Sequence, residues 1–246
     1  MTLIIAIKCT DGVVIASDGR VVRGGEYRAE EKIFQIGERL IVGAAGRTGV
    51  IKRIIRALRG LTTDLRSEES IRKIETTLAN IYQYHQETYG RNYQSKEKFD
   101  EEFYGSLLAI DSENIYRFFF DGYPEPCGDY EAIGSASGYV RTLLETFYEK
   151  GMDTARASEL AVYCILQGMK VSRDIGEPIQ IGVVKRDGQT MILGEDQIKE
   201  IIRKINGRER MLHDIWSILA KWPEVQEELE KFVEEKLASI KTTLKK

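Results

Sequence analysis

Short, almost entirely apolar strands that come in pairs are the feature that most constrains the fold of this 246-residue chain. A turn signal separates two strand-like runs at four places, which is typical of β-hairpins. The paired runs are 3–8 with 13–17, 33–36 with 40–44, 104–110 with 115–120, and 179–184 with 191–193. These runs do not alternate between apolar and polar residues, so we expect each sheet to be covered on both faces.

Between the hairpins, apolar residues recur at helical spacing. The pattern predicts helices over 50–58, 71–82, 138–150 and 153–172, with a capping start at 67–70. The stretch 91–102 is polar and has no apolar period, so it is predicted to be an exposed loop. Further helices are predicted over 198–205 and 211–219 and, after a break at Pro223, over 225–244.

Pairs of strands therefore alternate with pairs of helices along the chain. This order fits an α+β fold in which two antiparallel sheets stack face to face and helices cover both outer faces. The final helices follow the last hairpin and are interpreted as a tail on a single domain.

Composition excludes several function classes. The formal net charge of −3 gives no basic surface for phosphate binding, so no nucleic-acid partner is expected. No apolar run approaches the roughly 20 residues that span a bilayer, so no membrane partner is expected either. The first apolar run lacks the features of a secretory signal, and we therefore expect a cytoplasmic protein.

Cysteine and histidine are too few for two other kinds of site. The three cysteines are widely spaced and form no Cys-x-x-Cys pair, and there are two histidines. Neither a disulfide framework nor a metal site is indicated, and no cofactor is expected.

The second residue is the first candidate for chemistry. Thr2 is small, and the initiator methionine is normally removed before a small residue. A chain that begins with Thr2 carries a hydroxyl nucleophile and a free α-amine on one residue. That amine has a reference pKa of roughly 7.7–8.0 and can act as a base near neutral pH. Threonine is nevertheless common at position two, so this feature alone does not identify a catalyst.

Two charged residues could support such a nucleophile. Asp18 follows the second strand and Lys32 precedes the third. A lysine beside the hydroxyl would favour the alkoxide and lower the pKa of the neighbouring amine, and an aspartate would keep that lysine charged. Each residue taken alone is more typical of a solvated charge at the end of a strand.

Two glycine-containing turns resemble known motifs without matching them. The turn 43–49 contains no lysine, which excludes a Walker-type phosphate loop, although a glycine N–H there could serve an oxyanion. The turn 134–138 places Ala136 where a serine-hydrolase elbow has its nucleophile. We instead expect the flanking serines to cap the following helix.

Taken together, the chain resembles the β-type subunits of the proteasome and related bacterial peptidases of the N-terminal nucleophile (Ntn) hydrolase superfamily. The segments that carry the resemblance are Thr2 with the strand after it, 11–20, 31–36, the glycine turn after Val42, 132–138 and 172–174. The resemblance covers residues 2–207 and implies a four-layer αββα sandwich. It divides the chain into a domain over 1–207 and a C-terminal helical extension over 208–246.

The resemblance implies a threonine-type peptidase that hydrolyses amide bonds through an acyl-ester on Thr2. It implies that Asp18 and Lys32 are the charged pair beside the nucleophile and that Gly43 donates to the oxyanion. Ser135 and Asp174 would orient the terminal amine and the reactive water. The implied partners are a peptide or unfolded polypeptide substrate and other subunits, in a homo-oligomer or a proteasome-like ring.

The sequence also departs from the family pattern. The stretch 175–178 after Asp174 is shorter than in the family and lacks its serine, while Glu177 stands nearby. Two alternatives therefore remain. The same threonine could serve an amidase or a peptide ligase, or the chain could be a non-catalytic assembly subunit.

Overall fold

The protein is described by a computed structural model that covers residues 2–23, 26–59, 65–220, 230 and 232–234. The chain divides into two compact units, Met1–Ile202 and Arg203–Lys246. The first unit contains all the strands found in the described residues.

The strands form two five-stranded sheets and one small hairpin. The first sheet has the order β10-β1-β2-β11-β12, the second has the order β5-β6-β7-β8-β9, and β3 pairs with β4. All the pairings are antiparallel. The strands are β1 (Leu3–Cys9), β2 (Gly12–Asp18), β3 (Arg20–Arg23), β4 (Glu26–Ala29), β5 (Ile33–Gln35), β6 (Ile41–Ala45), β7 (Ser106–Ile110), β8 (Ile115–Phe119), β9 (Pro124–Pro126), β10 (Tyr130–Gly134), β11 (Ile179–Lys185) and β12 (Thr190–Ile192). The four predicted hairpins correspond to β1–β2, β5–β6, β7–β8 and β11–β12.

Six α-helices accompany the sheets in the described residues. They are α1 (Thr48–Leu58), α2 (Glu68–Tyr89), α3 (Lys96–Phe103), α4 (Ser137–Phe147), α5 (Thr154–Val171) and α6 (Glu195–Ala220). Three of them begin at a side-chain cap, in which Ser67, Ser95 or Asp153 accepts a hydrogen bond from a backbone N–H of the first turn. Such caps satisfy a donor that the helix itself leaves free.

Two apolar layers hold the elements together. Between the sheets lie aliphatic side chains of both inner faces, including Ile4, Ile15, Leu108 and Ile133. On its outer face the second sheet packs against α1, α2 and α3, whereas α4 and α5 pack on the first sheet. The order helix, sheet, sheet, helix confirms the predicted αββα sandwich.

The segment 91–102 is not the predicted exposed loop. A 3₁₀ turn covers Gly90–Asn92 and helix α3 follows it. Phe99 and Phe103 lie four residues apart on α3 and are buried. Both rings contact the ring of Tyr82 on α2, and Phe103 also contacts Phe120, which follows β8. The prediction was wrong because a helix of two turns needs only a few apolar residues on its buried face. In a polar stretch, two phenylalanines are too few to show an amphipathic period.

Part of the tail lies outside the described residues. The break at Pro223 and most of the predicted helix over 225–244 fall there. The stripes at 198–205 and 211–219 belong to the single helix α6, and the predicted boundary after Gly207 falls within it. Among the described residues, no helix combines the length and apolar character that crossing a bilayer requires.

The buried side of α3 provides a first prediction. We expect Phe103→Ala to lower the free energy of unfolding by about 3–5 kcal/mol, because it removes a buried ring and leaves a cavity. Phe147→Ala deletes the same atoms from a side chain that is 48% exposed and should cost much less. Urea unfolding followed by circular dichroism measures both. Equal losses in the two variants would contradict the packing of α3.

Candidate active site

Thr2 lies just before β1, at an edge where β1 begins and its neighbours β2 and β10 end. Its carbonyl oxygen accepts a hydrogen bond from the N–H of Ser135 at 2.6 Å. The N–H of Leu3 donates to Asp18 Oδ1 at 2.8 Å. Thr2 is only 7% exposed. Hydrogen bonds from both neighbouring strands therefore fix the backbone around Thr2.

A buried ion pair stands beside this strand end. Lys32 Nζ donates to Asp18 Oδ1 at 2.8 Å, and the two side chains are 5% and 0% exposed. Lys32 Nζ also donates to the carbonyl oxygen of Arg20 at 2.7 Å. Two buried charges are tolerated when they are paired and hydrogen-bonded, and removing one partner of such a pair is strongly destabilising. The pair links the first sheet to the segment that enters the second.

The other carboxylate oxygen of Asp18 is held by backbone. The N–H groups of Arg20 and Gly176 each donate to Asp18 Oδ2 at 3.2 Å. The carbonyl oxygen of Gly176 in turn accepts from the N–H groups of Gly19 and Arg20 at 3.1 Å. The short stretch after Asp174 thus supports Asp18 through main-chain groups.

Gln180 on β11 holds the segment that carries Lys32. Its Oε1 accepts from the N–H of Lys32 at 2.9 Å and from that of Ile33 at 3.2 Å. Its Nε2 donates to the carbonyl oxygen of Glu30 at 2.7 Å. One side chain therefore fixes the backbone on both sides of Lys32. Sequence reasoning missed Gln180, since a single polar residue in an apolar strand was the only signal.

Burial changes the acid–base behaviour of Lys32. Desolvation lowers the pKa of its ammonium group below the usual lysine value, and the charge of Asp18 opposes that shift. Asp18 also hydrogen-bonds the charged form. A lysine held in this way loses its proton more readily than an exposed lysine, so its charge depends directly on the aspartate.

Thr2 lies in the walls of two cavities. One, of 460 Å³, is lined by Lys32, by Phe34 and by the first turn of α1. The other, of 570 Å³, is bounded by β10 and by residues at the start of β7 and in β8, together with Glu101 of α3. Both volumes suit a ligand of a few residues. A polypeptide bound across Thr2 can therefore place a side chain on each side of it.

Gly43 and Gly46 have different positions relative to these cavities. Gly43 lies inside β6, which pairs with a strand on each side. A Cβ atom at Gly43 would approach Ile4 and Ile15 to 2.7–3.0 Å, so the residue faces the core between the sheets. Gly46 follows β6, has a φ of 154° that favours glycine, and lines both cavities. Gly46, and not Gly43, therefore lies beside Thr2 in the cavity walls, while the oxyanion role predicted for Gly43 stays a prediction.

Ser135 and its neighbour Ala136 form the turn between β10 and α4. The serines do not cap α4 through their side chains, contrary to expectation, because Ala136 occupies the N-cap position with a left-handed φ of 60°. Instead the backbone N–H of Ser135 is used by Thr2. Ser135 and Ser137 both line the larger cavity.

Asp174 occupies the turn between α5 and β11 and is partly exposed. In the described part of the chain, its carboxylate has no hydrogen bond or ion pair to Thr2, Asp18 or Lys32. Glu177 nearby is exposed. The structure thus brings together four of the six residues suggested by the resemblance, namely Thr2, Asp18, Lys32 and Ser135.

Other chemistries have little support near Thr2. No group of three or more His, Cys, Asp or Glu residues that could hold a metal occurs among the described residues. Burial raises the pKa of the Cys9 and Cys164 thiols to about 12, and that of Cys127 to about 11. These thiols are protonated at neutral pH and are poor nucleophiles.

Comparison with curated proteins gives proteasome beta subunits among the relatives. Proteasome subunit beta 1 of Thermococcus sibiricus is 26% identical over 216 residues, which cover 83% of this chain and 96% of the relative. Proteasome subunit beta 2 of Pyrococcus furiosus is 27% identical over 199 residues, which cover 76% and 88%.

Solved structures share the fold. Anbu (ancestral beta-subunit) from Yersinia bercovieri superposes with a TM-score of 0.69 at 16% identity, over 87% of this chain and 96% of that one. A (Gly-1) mutant of Anbu from Hyphomicrobium sp. superposes with a TM-score of 0.65 at 12% identity, over 87% and 97%. These matches confirm the resemblance drawn from the sequence. The family model described as Proteasome subunit matches residues 2–184, and the chain therefore belongs to the proteasome subunit family.

Proposed function

We propose that this protein is a threonine-type peptidase whose nucleophile is Thr2, exposed by removal of Met1. The observation that carries the proposal is the buried pair of Lys32 and Asp18 beside the start of β1. Asp18 Oδ1 accepts both from Lys32 Nζ and from the N–H of Leu3, each at 2.8 Å. A buried cation and a carboxylate are costly to retain, and this pair adjoins the residue that family membership suggests as nucleophile.

In the first half of the proposed reaction, the α-amine of Thr2 takes the proton from Oγ1 as Oγ1 attacks the substrate carbonyl carbon. The positive charge of Lys32 favours the developing alkoxide and lowers the pKa of the amine by like-charge repulsion. The tetrahedral intermediate then expels the amine half of the substrate. The leaving nitrogen takes the proton from the α-ammonium group, and an acyl-ester remains on Thr2.

In the second half, a water molecule attacks the acyl-ester while the α-amine accepts its proton. The carboxylic half of the substrate leaves, and the proton returns to Oγ1. In both tetrahedral intermediates, we assign the oxyanion to the backbone N–H of Gly46, which lies beside Thr2 in both cavity walls. Ser135 and Asp174 remain proposed as groups that orient the amine and the water.

We also propose that the protein acts within an oligomer of its own copies or a proteasome-like ring. The support is its membership of a family of subunits and its relatives' description as proteasome beta subunits. A ring that encloses its sites would restrict hydrolysis to peptides or unfolded polypeptides that can enter.

Removal of Met1 and the role of Thr2 are tested together. We expect intact-mass analysis to find the mature chain without Met1, because the proposed base is the α-amine of Thr2. We expect Thr2→Ala to abolish peptide hydrolysis, whereas Thr146→Ala, at an exposed residue of α4, controls for the loss of a threonine hydroxyl and should leave hydrolysis unchanged. Retention of Met1, or wild-type turnover by Thr2→Ala, would refute the mechanism. An added acceptor peptide distinguishes hydrolysis from ligation by product mass.

The position of Lys32 is predicted to depend on Gln180. We expect Gln180→Leu to lower kcat/KM by roughly tenfold, because two backbone N–H groups and one carbonyl lose their partner. Gln180→Glu keeps the acceptor oxygen and should recover part of the activity. Gln83→Leu on the exposed surface of α2 is the matched control. A full loss in Gln180→Glu, equal to that of Gln180→Leu, would contradict the role of Oε1.

The pH profile is predicted to have an alkaline limb set by Lys32. Burial lowers the pKa of Lys32, so its charge, and with it kcat/KM, is lost as pH rises through a value below that of an exposed lysine. Asp18→Asn removes the charge that opposes this shift and should move the alkaline limb to lower pH. Asp196→Asn, on the exposed first turn of α6, should leave it in place. An unchanged limb in Asp18→Asn would exclude Lys32 as the titrating group.

A further inference from the structure

Arg117 occupies an unusual place for a charged side chain. It lies on β8 opposite Leu108 of β7, on the face of the strand that also carries Ile115. Leu108 and Ile115 belong to the apolar core between the sheets. Side chains two residues apart on a strand share a face, so the sequence of β8 directs an arginine toward the inside of the sandwich.

The guanidinium group of Arg117 is held in place without a counter-ion. It lies over the ring of Phe119, 4.4 Å from the ring centre. Its Nε atom is buried and has no hydrogen-bond partner among the described residues. Within the same residues no carboxylate forms an ion pair with it, and Glu125, opposite Arg117 on β9, is exposed. A buried donor without a partner is costly, and an anion beside the guanidinium group would offset that cost.

An anion can reach Arg117 from the cavity of 570 Å³, because Arg117 and Thr2 both line that cavity. Two other charged residues of that wall are already engaged. Arg141 donates to Glu131 Oε1, with its Nε 3.0 Å away, and Glu101 pairs with Lys98 at 2.6 Å. The guanidinium group of Arg117 therefore gives this wall a positive charge that favours a negatively charged group.

We propose that the cavity between Thr2 and Arg117 is a substrate subsite that binds a carboxylate close to the scissile bond. A guanidinium group recognises a carboxylate through two parallel hydrogen bonds, and Nε is one of the donors that can take part. The carboxylate belongs either to an acidic side chain or to the C-terminus of the peptide. This inference deepens the proposed peptidase function, and it assigns the substrate class as acidic or short, carboxylate-terminated peptides.

Binding to the full-length Thr2→Ala variant tests the subsite without requiring turnover. The probes are capped neutral peptides in which Glu or Gln is placed at each position in turn, together with free-acid and amide forms of an otherwise neutral peptide. We expect at least one acidic probe to bind about tenfold more tightly than its amide counterpart by calorimetry, a difference equivalent to about 1.4 kcal/mol. The position or terminus that gives this ratio identifies the source of the carboxylate.

Substitutions at Arg117 then test whether this residue causes the preference for the acidic probe. In the Thr2→Ala background, Arg117→Gln should bring the ratio of the two dissociation constants close to one, and Arg117→Lys should retain part of it. Arg72→Gln, at an exposed residue of α2 paired with Glu68, is the matched control and should keep the full ratio. Ratios within twofold for every probe, absence of binding, or a preference that survives Arg117→Gln would each overturn the subsite. Different results would refute the peptidase proposal itself, namely retention of Met1 in the mature chain or wild-type turnover by Thr2→Ala.

Discussion

The buried pair of Asp18 and Lys32 is the interaction on which the proposed site depends. Asp18 has both carboxylate oxygens occupied, by Lys32 Nζ and Leu3 N–H on one and by two backbone N–H groups on the other. Loss of either charge would leave the other buried without compensation. The pair thus connects the start of β1, the end of β2 and the segment that enters β5.

The stacking of the two sheets brings these residues together at the ends of their strands. Thr2 and Asp18 belong to strand ends of the first sheet, while Lys32 and Gly46 adjoin strands of the second. The apolar layer between the sheets fixes their separation, and Gln180 ties the segment around Lys32 to β11. Rigid elements therefore position the candidate site. The proposed mechanism requires this, because its nucleophile must be held in a fixed place.

The elements around Thr2 include a short turn, a helix and a strand of the second sheet. This chain places Thr2 beside the buried pair of Asp18 and Lys32. It uses backbone of a short turn at Gly176 to hold Asp18, and it builds part of a cavity wall from α3 and from Arg117 on β8. These features surround Thr2, and in the proposed function they determine what can bind beside it.

The sequence by itself determined the hairpins and the layer order, because turn signals and apolar periods depend on neighbouring residues. It also named Thr2, Asp18 and Lys32 as candidate site residues, through the resemblance to a known family. It did not reveal α3, whose buried face consists of two phenylalanines in a polar stretch. It also could not show that Gly43 faces the core while Gly46 lines the cavities beside Thr2, and it did not find Gln180 or Arg117. Those assignments depend on which strands become neighbours and which face of each strand turns inward. Only the tertiary structure decides that, because a side chain's surroundings are set by residues distant along the chain.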